Sequence, residues 1–420
     1  MKRVISVLLI LLLLVPAGCK TAQTADGSEA KAPAEPFEPH PVDLGFDVPE
    51  IKDYNGFVYT LSAALADGTE NRNLSPLSVY FALAMAAEGA NGKTQADLLK
   101  LLGADSLDAL HQTTDDLLTA LHEENDTGEV KLCNSLWMSV RCPLREAYRQ
   151  RLKAQYGADA ETVAFGTDAA SKRISDWIKQ QTNGLIEPSA DAMRFDDATL
   201  AVLLNTLYFC DQWSAEFRDV WPGTFTHADG TEQSAEYLHR FTNRTYVYQG
   251  EGFLRYSVWF QSLGYMTFVL PDEDTPLSDL LGTPEKVRTL LTGGERINAD
   301  VDLMLPKFAF SDRFELADVL CALGLTDAFT KGRADFSGMT DVPAHLERVI
   351  QETVIDLNEK GVEAAAYTAI IPKAAAAPYE NETLPRIDFH LTRPFLFVIQ
   401  TAWDDTPLFI GTVSAPGESR

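Results

Sequence analysis

The sequence is poor in cysteine, in histidine and in positive charge, and each shortage removes a class of function. Only five of its 420 residues are cysteine, at positions 19, 133, 142, 210 and 321. They form no C-x-x-C pair and none stands beside paired histidines, so no metal site is expected from them. A Cys133–Cys142 disulfide stays open for an exported chain. Cys321 lies in the apolar helical face Leu316–Leu323 and reads as a small buried hydrophobe. The seven histidines are scattered, none at ligand spacing from another histidine or a cysteine. Lys and Arg number 35 against 61 Asp and Glu, a net charge of −26 that repels phosphate backbones. No nucleic-acid partner is expected. The chain has no G-x-S-x-G elbow, no H-E-x-x-H, no Walker A loop and no G-x-G-x-x-G. Neither a cofactor nor an enzymatic activity is expected.

What is present begins with a targeting segment. Lys2 and Arg3 precede the apolar run Val4–Val15, broken only by Ser6 and too short for a comfortable membrane span. Pro16-Ala17-Gly18 then supplies small residues before Cys19. Ala17-Gly18-Cys19 resembles the bacterial lipobox, in which the cysteine is lipidated and becomes the new N-terminus. That resemblance implies a signal peptide over residues 1–18, lipidation at Cys19, and export to a bacterial membrane or cell surface. Acyl chains partition at roughly 0.8 kcal/mol per buried CH2, enough for a stable membrane anchor when several are attached. Residues 19–48 are rich in Ala, Pro, Thr and acidic residues and read as the lipidated cysteine with a solvated tether. The expected folded domain spans 49–416, with a short tail at 417–420.

Helical periodicity dominates the first third. Tyr54–Leu65 is amphipathic, Ser75 and Pro76 mark a helix N-cap and first turn, and Thr94–Leu102 ends at Gly103. Strand-like runs follow at Leu200–Phe209, Tyr256–Leu270, Asp300–Leu305, Phe395–Thr401 and Leu408–Val413. Several are apolar on both faces, as central strands covered on both sides must be. Helices and strands mix without a βαβ rhythm, which favours one α+β domain over a doubly wound sheet.

The most informative stretch is Glu359-Lys360-Gly361-Val362-Glu363-Ala364-Ala365-Ala366-Tyr367-Thr368-Ala369, followed by Ile370-Ile371-Pro372-Lys373 and four alanines. Two readings stand. As a helix it is an Ala-rich segment bounded by Gly361 and Pro372. As a strand it places Val362, Ala364, Ala366, Thr368 and Ile370 on one face, small or apolar throughout, and its only charge on the other. Such a segment meets no steric or desolvation obstacle in passing between existing strands.

Glu-x-Gly-x-Glu-Ala-Ala-Ala-x-Thr is similar to the hinge of inhibitory serpins, and the resemblance extends along the chain. Asn73-Leu74-Ser75-Pro76-Leu77-Ser78 with Ala82–Met85 resembles the serpin second helix and its approach, and Gly89–Thr94 the turn after it. Leu204-Asn205-Thr206-Leu207-Tyr208-Phe209 with Trp213 is similar to a family strand motif. Leu305-Pro306-Lys307-Phe308, Leu323-Gly324-Leu325, Ala334–Met339, Arg393–Phe397 and Phe409–Pro416 resemble later family runs. On that basis the chain is identified as a member of the serpin family.

The resemblance implies a single α+β domain: a large central mixed β-sheet, additional smaller sheets, surrounding helices and an exposed reactive-centre loop. It implies a suicide-substrate inhibitor of serine or cysteine proteases, monomeric, which inserts its cleaved loop into its own sheet. Glu359, Gly361, Val362, Glu363, Ala364, Ala365, Ala366 and Thr368 would form the hinge, with Gly361 its flexible point. Ser75, Ser78 and Asn205 match the polar cluster called the shutter. Gln351 stands there where the family usually has histidine. Trp213 matches the tryptophan at the top of the sheet, the breach, where insertion begins. Family spacing puts the scissile bond at Ala375–Ala376, with Lys373–Ala374 the second choice because the loop is long. Small flanking side chains suit an elastase-like protease, and Lys373 keeps a trypsin-like one second. The alternative is a non-inhibitory serpin-fold binding or structural lipoprotein. Bulky or charged inward hinge residues would favour it, and this hinge has none.

Overall fold

The computed structural model describes residues 39–121, 128–362 and 383–417. In chain order the elements are α1 (Tyr54–Leu65), β1 (Arg72–Leu74), α2 (Pro76–Gly89), α3 (Gly92–Leu101), α4 (Leu107–Leu121), β2 (Gly128–Ser139), α5 (Glu146–Tyr156), β3 (Asp159–Val163) and α6 (Asp168–Gln181). The strands then continue as β4 (Ala201–Gln212), β5 (Asp219–Thr226), β6 (Glu232–Gly250), β7 (Phe253–Trp259) and β8 (Gly264–Pro271). After two short helices come β9 (Glu295–Pro306), β10 (Phe308–Glu315), a kinked helical stretch, β11 (Arg348–Leu357) and β12 (Gly361–Val362). The last strands are β13 (Arg386–His390), β14 (Phe395–Thr401) and β15 (Pro407–Val413).

Local sequence explains several of these elements directly. Asp53 caps α1 by accepting from the Gly56 N–H at 2.8 Å, and the expected Tyr54–Leu65 helix is the observed one. Ser75 caps α2 by accepting from the Ser78 N–H, with Pro76 in the first turn. Every residue of α2 is buried, which its nearly uniform apolar composition requires. Gly103, just beyond α3, adopts φ +68°, and a Cβ there would lie 2.6 Å from the Asp53 nitrogen. One expectation is corrected: Tyr256–Leu270 is not one strand but the hairpin β7–β8, broken after Trp259. Another concerns the thiols. Cys133 and Cys142 are both free. Six residues of extended strand from Cys133 to Ser139 carry the chain about 20 Å along β2, far beyond disulfide reach before Cys142 is met.

Two sheets carry the fold. One has six strands in the order β10-β11-β12-β4-β2-β3. It is mixed, since β11–β4 and β2–β3 are parallel and the other pairs antiparallel. The other has nine strands, running β1-β15-β14-β8-β7-β6-β9-β13 with β5 beside β6. The 19-residue β6 pairs with β5, β7 and β9, and its register against β9 shifts between Thr242 and Thr245.

The inner face of the six-stranded sheet shares the main core with α2 and the second sheet. Leu203, Leu207 and Phe209 of β4 and Val349, Ile355 and Leu357 of β11 point there. Val202, Leu204 and Ile350 point the other way, into a smaller cluster with Trp137 and with Ile174, Trp177 and Ile178 of α6. This odd–even division along β4 and β11 is the period-two alternation of a sheet covered on both sides. It sets the fate of any strand added between them.

Candidate functional site

The candidate site is the seam between β4 and β11. At one end the two strands pair directly and in parallel, Arg348–Gln351 opposite Val202–Asn205. At the other end β12 stands between them. Val362 pairs with Leu357 on one side and with Asp211 on the other, and Gly361 with Gln212. Adjacent strands lie about 4.8 Å apart, so β4 and β11 separate to about 9.6 Å where β12 enters. The seam is therefore a wedge, closed at Gln351–Asn205 and open at Asp211–Leu357. Gly361 and Val362 are already buried strand residues.

The open end is held by several contacts. Asn358 turns the chain from β11 into β12, its N–H donating to the Gly361 carbonyl at 3.0 Å and its side chain accepting from the Lys360 N–H at 3.0 Å. Trp213, 1% exposed, donates its indole N–H to the Asn358 carbonyl at 2.9 Å and its backbone N–H to the Lys360 carbonyl at 2.8 Å. Its ring stacks on Phe260 with centroids 4.7 Å apart. The tryptophan thus clamps the start of the hinge rather than only filling core.

Glu359 forms an ion pair with Lys307 at 2.9 Å, and Lys307 also meets Glu236 at 3.1 Å. Burial works to raise the Glu359 carboxyl, but the Lys307 ammonium, its own backbone N–H and the Lys360 charge together outweigh it and hold the group below its ordinary value.

Gly361 is fixed for a reason other than flexibility. A Cβ there would sit 2.0 Å from the Asp211 carbonyl oxygen, so only glycine lets β12 approach β4. Asp211 itself is fully buried. Its carboxylate accepts from the backbone N–H groups of Gln212 at 2.8 Å, Leu263 at 2.7 Å and Ser262 at 3.2 Å. Burial dominates those bonds and pushes its pKa up to about 6.

At the closed end Gln351, fully buried, makes a two-way amide bond with the backbone of Ser75. Its Oε1 accepts from the Ser75 N–H at 3.0 Å, and its Nε2 donates to the Ser75 carbonyl at 2.7 Å. Nε2 also reaches the Asn205 Oδ1 at 3.4 Å. Thr353 Oγ1 donates to the Asn73 carbonyl at 2.5 Å. The neutral amide fills this position without any titrating group. Ser75, Gln351 and Asn205 thus meet, and Ser78 joins through the Ser75 cap.

Glu363, Ala364, Ala365, Ala366, Thr368, Lys373, Ala374, Ala375, Ala376 and Cys19 lie outside the described residues. Sequence reasoning missed Asp211, Asn358, Phe260 and Thr353. Lys307 fell within a quoted motif, but nothing local marks it as the partner of Glu359, 52 residues away.

A family profile described as Serpin (serine protease inhibitor) matches residues 52–416. Serpin B6 of Macaca fascicularis is 30% identical over 369 residues, covering 83% of this chain and 94% of that protein. Leukocyte elastase inhibitor of Equus caballus is 29% identical, covering 84% and 94%. Among solved structures, the thermophilic serpin tengpin in its native state is similar with a TM-score of 0.72 and 26% identity, covering 91% of this chain and 97% of that one.

Proposed function

This chain belongs to the serpin family, and from that premise we propose that it is a suicide-substrate inhibitor of serine or cysteine proteases, trapping its target by inserting the cleaved loop along the β4–β11 seam. The observation that carries the reading is β12, a strand of two residues already paired on both sides at the open end of the wedge.

Extending its register shows what insertion would require. Continuing antiparallel to both neighbours from the Val362 pairs, Ala364 comes between Ile355 and Phe209, Ala366 between Thr353 and Leu207, and Ile370 between Val349 and Leu203. These neighbours face the main core or its polar seam, and the inserting side chains are small or apolar. Thr368 comes between Gln351 and Asn205, whose side-chain Nδ2 is buried without a protein partner. The one polar inward residue of the segment therefore meets a polar layer of the slot. Glu363 falls on the opposite face, beside the partly buried Asp356 and Cys210.

The chemistry is that of ordinary acyl transfer. The protease hydroxyl or thiol attacks the carbonyl of Ala375, the bond to Ala376 breaks, and the new amino terminus leaves with a proton. The ester or thioester formed is the normal intermediate. Once the loop is cut, its hinge side is free to continue β12 past the shutter residues Ser75, Ser78, Asn205 and Gln351, drawing the acylated protease away before water completes the reaction. Loop insertion of this kind, for which serpins are the standing example, converts a kinetically held state into a more stable one. Ala375–Ala376 and the likeness to leukocyte elastase inhibitor support an elastase-like target, with Lys373–Ala374 and a trypsin-like target second. Cys19 is proposed to anchor the exported, monomeric protein to a bacterial membrane.

The test is to incubate the protein with a panel of elastase-like and trypsin-like proteases and resolve the products on denaturing gels. A complex that survives denaturation is expected with at least one protease, and mass spectrometry of the released peptide places the cut. Cleavage by every protease without any such complex would refute the inhibitory reading.

A further inference from the structure

The second sheet gathers four groups that neither loop cleavage nor insertion uses. β13 pairs with β9 in parallel, setting Asp388 opposite Asp302 and His390 opposite Met304. On the other side of β9, β6 sets His239 opposite Met304. Period-two alternation puts all of these side chains on one face.

The carboxylates of Asp302 and Asp388 and a ring nitrogen of His390 lie within 4.8 Å of one another. His239 Nε2 hydrogen-bonds the Asp302 Oδ1 at 2.7 Å, and the His239 ring is itself stacked on Trp221 with centroids 3.5 Å apart. We propose that Asp302, Asp388 and His390 form a binding site for a divalent transition-metal ion, with His239 as the residue that orients Asp302.

Three observations converge on a cation of this class. Two carboxylates directly opposite on adjacent strands repel each other and need a positive charge between them. Arg386 provides one, bonding Asp388 through Nε at 3.1 Å and Asp302 through Nη2. The Arg386 bonds go to the two carboxylates and leave the neighbouring imidazole unserved. The His390 Nε2 is buried and has no protein hydrogen-bond partner. Two carboxylates and an imidazole are the donor set of Zn2+ or a chemically similar ion, with water completing a four-coordinate shell. Ligating carboxylates in such sites are themselves held by hydrogen bonds, as Asp302 is by His239. Ligands at about 2.1 Å from a tetrahedral ion stand roughly 3.4 Å apart, so the three donors need only close modestly.

Arg386, 63% exposed along its side chain, is then a competitor that swings into solvent when the ion binds. Such an ion would staple β13, the strand following the loop, to the body of the sheet.

The experiment is calorimetric titration of the chelator-treated full chain with zinc chloride, with Co2+ absorption as a report on coordination. One ion per chain is expected at this site. His390→Ala and Asp388→Asn should each weaken it by at least a hundredfold. His239→Ala should weaken it by about tenfold to a hundredfold, as loss of such a supporting contact does. Arg386→Ala should tighten it, a direction opposite to that of a simple ion-pair network. Asp388 and Arg386 are 60% and 63% exposed along their side chains, so these variants keep the fold, and melting curves without metal verify it. No zinc bound by the wild type, binding that survives both ligand substitutions, or weaker binding in Arg386→Ala would each overturn the proposal.

Discussion

The sharpest test of strand insertion is Ala364→Arg. Continuing the β12 register puts residue 364 between Ile355 and Phe209, which are 3% and 5% exposed and belong to the main core. The acidic group near that position is Asp211, two residues from Phe209 along β4, but its carboxylate is already taken up by three backbone N–H groups, so an inserted guanidinium would be buried without a free partner. That costs several kcal/mol even after relaxation. If half of about 4 kcal/mol is felt at the insertion barrier, insertion slows by about thirtyfold. Deacylation is untouched, so the acylated protease is released and the variant becomes a substrate. Ala365→Arg is the control. It falls on the face shared with Glu363 and with the partly buried Val354 and Asp356, where a long side chain can reach water. The assay is the fraction of denaturation-resistant complex, together with the rise in thermal midpoint when the loop is cut. Wild type and Ala365→Arg should form complex and gain stability on cleavage, and Ala364→Arg should do neither well. Equal complex and equal stabilisation for Ala364→Arg would mean that the loop does not enter this seam.

Three further outcomes are expected. Asp211 has a folded pKa of about 6 against an ordinary 3.8, so the folded chain holds its proton more tightly than the unfolded one. The stability this gives is full below about pH 4 and lost as pH rises through 6, roughly 3 kcal/mol over that window; Asp211→Asn should remove this part of the pH dependence, and parallel denaturation curves from pH 4 to 7 would refute it. Gly361→Ala, which has no room against the Asp211 carbonyl, should expel β12 and forfeit the burial of Val362, about 2 kcal/mol; limited proteolysis after Lys360 should accelerate, and an unchanged cutting rate would count against the clamp. Cys19→Ala should move the expressed protein from the membrane fraction to the soluble one, and equal membrane association of variant and wild type would sink the anchor.

Much of the seam was legible in the chain because its parts are local. Ser75 caps a helix whose start is written in Ser-Pro, and the apolar alternation of Val202 to Phe209 announces a strand covered on both faces. The period-two alternation of Val362, Ala364, Ala366 and Thr368 is likewise a pattern of consecutive residues, of which the described ones include only Val362. What the chain does not display is proximity. Gly361 reads as a flexible joint, yet its requirement is steric and comes from the carbonyl of Asp211, 150 positions earlier in the sequence. Lys307 becomes meaningful only beside Glu359. Arg386 and Asp302 are 84 residues apart, and only the parallel pairing of β13 with β9 turns Asp388-Phe389-His390 into one side of a polar cluster. The scattered histidines gave no such hint, because ligand spacing along the chain is not ligand spacing across a sheet.

The two ends of the seam have opposite tasks, and the residues are divided accordingly. At the open end, Trp213, Asn358 and the Lys307–Glu359 pair hold the entering chain in place while β12 keeps the strands apart. That contact lowers the entropy still to be lost when the rest of the segment follows. At the closed end, insertion from Thr368 onward must separate the four register pairs that join Arg348–Gln351 to Val202–Asn205. The Gln351 amide binds Ser75 on both of its sides, so opening this end disturbs α2 as well as the sheet. Each such bond is worth about 1 kcal/mol net when intact, but a buried partner left unpaired costs about 1–3 kcal/mol. The penalty therefore falls on the intermediate, after the parallel pairs have parted and before Thr368 has arrived between Gln351 and Asn205. On the proposed mechanism, a barrier placed there, with two antiparallel ladders available beyond it, would hold back an uncut loop, whose far end is continuous with β13, and would be crossed once the loop is cut.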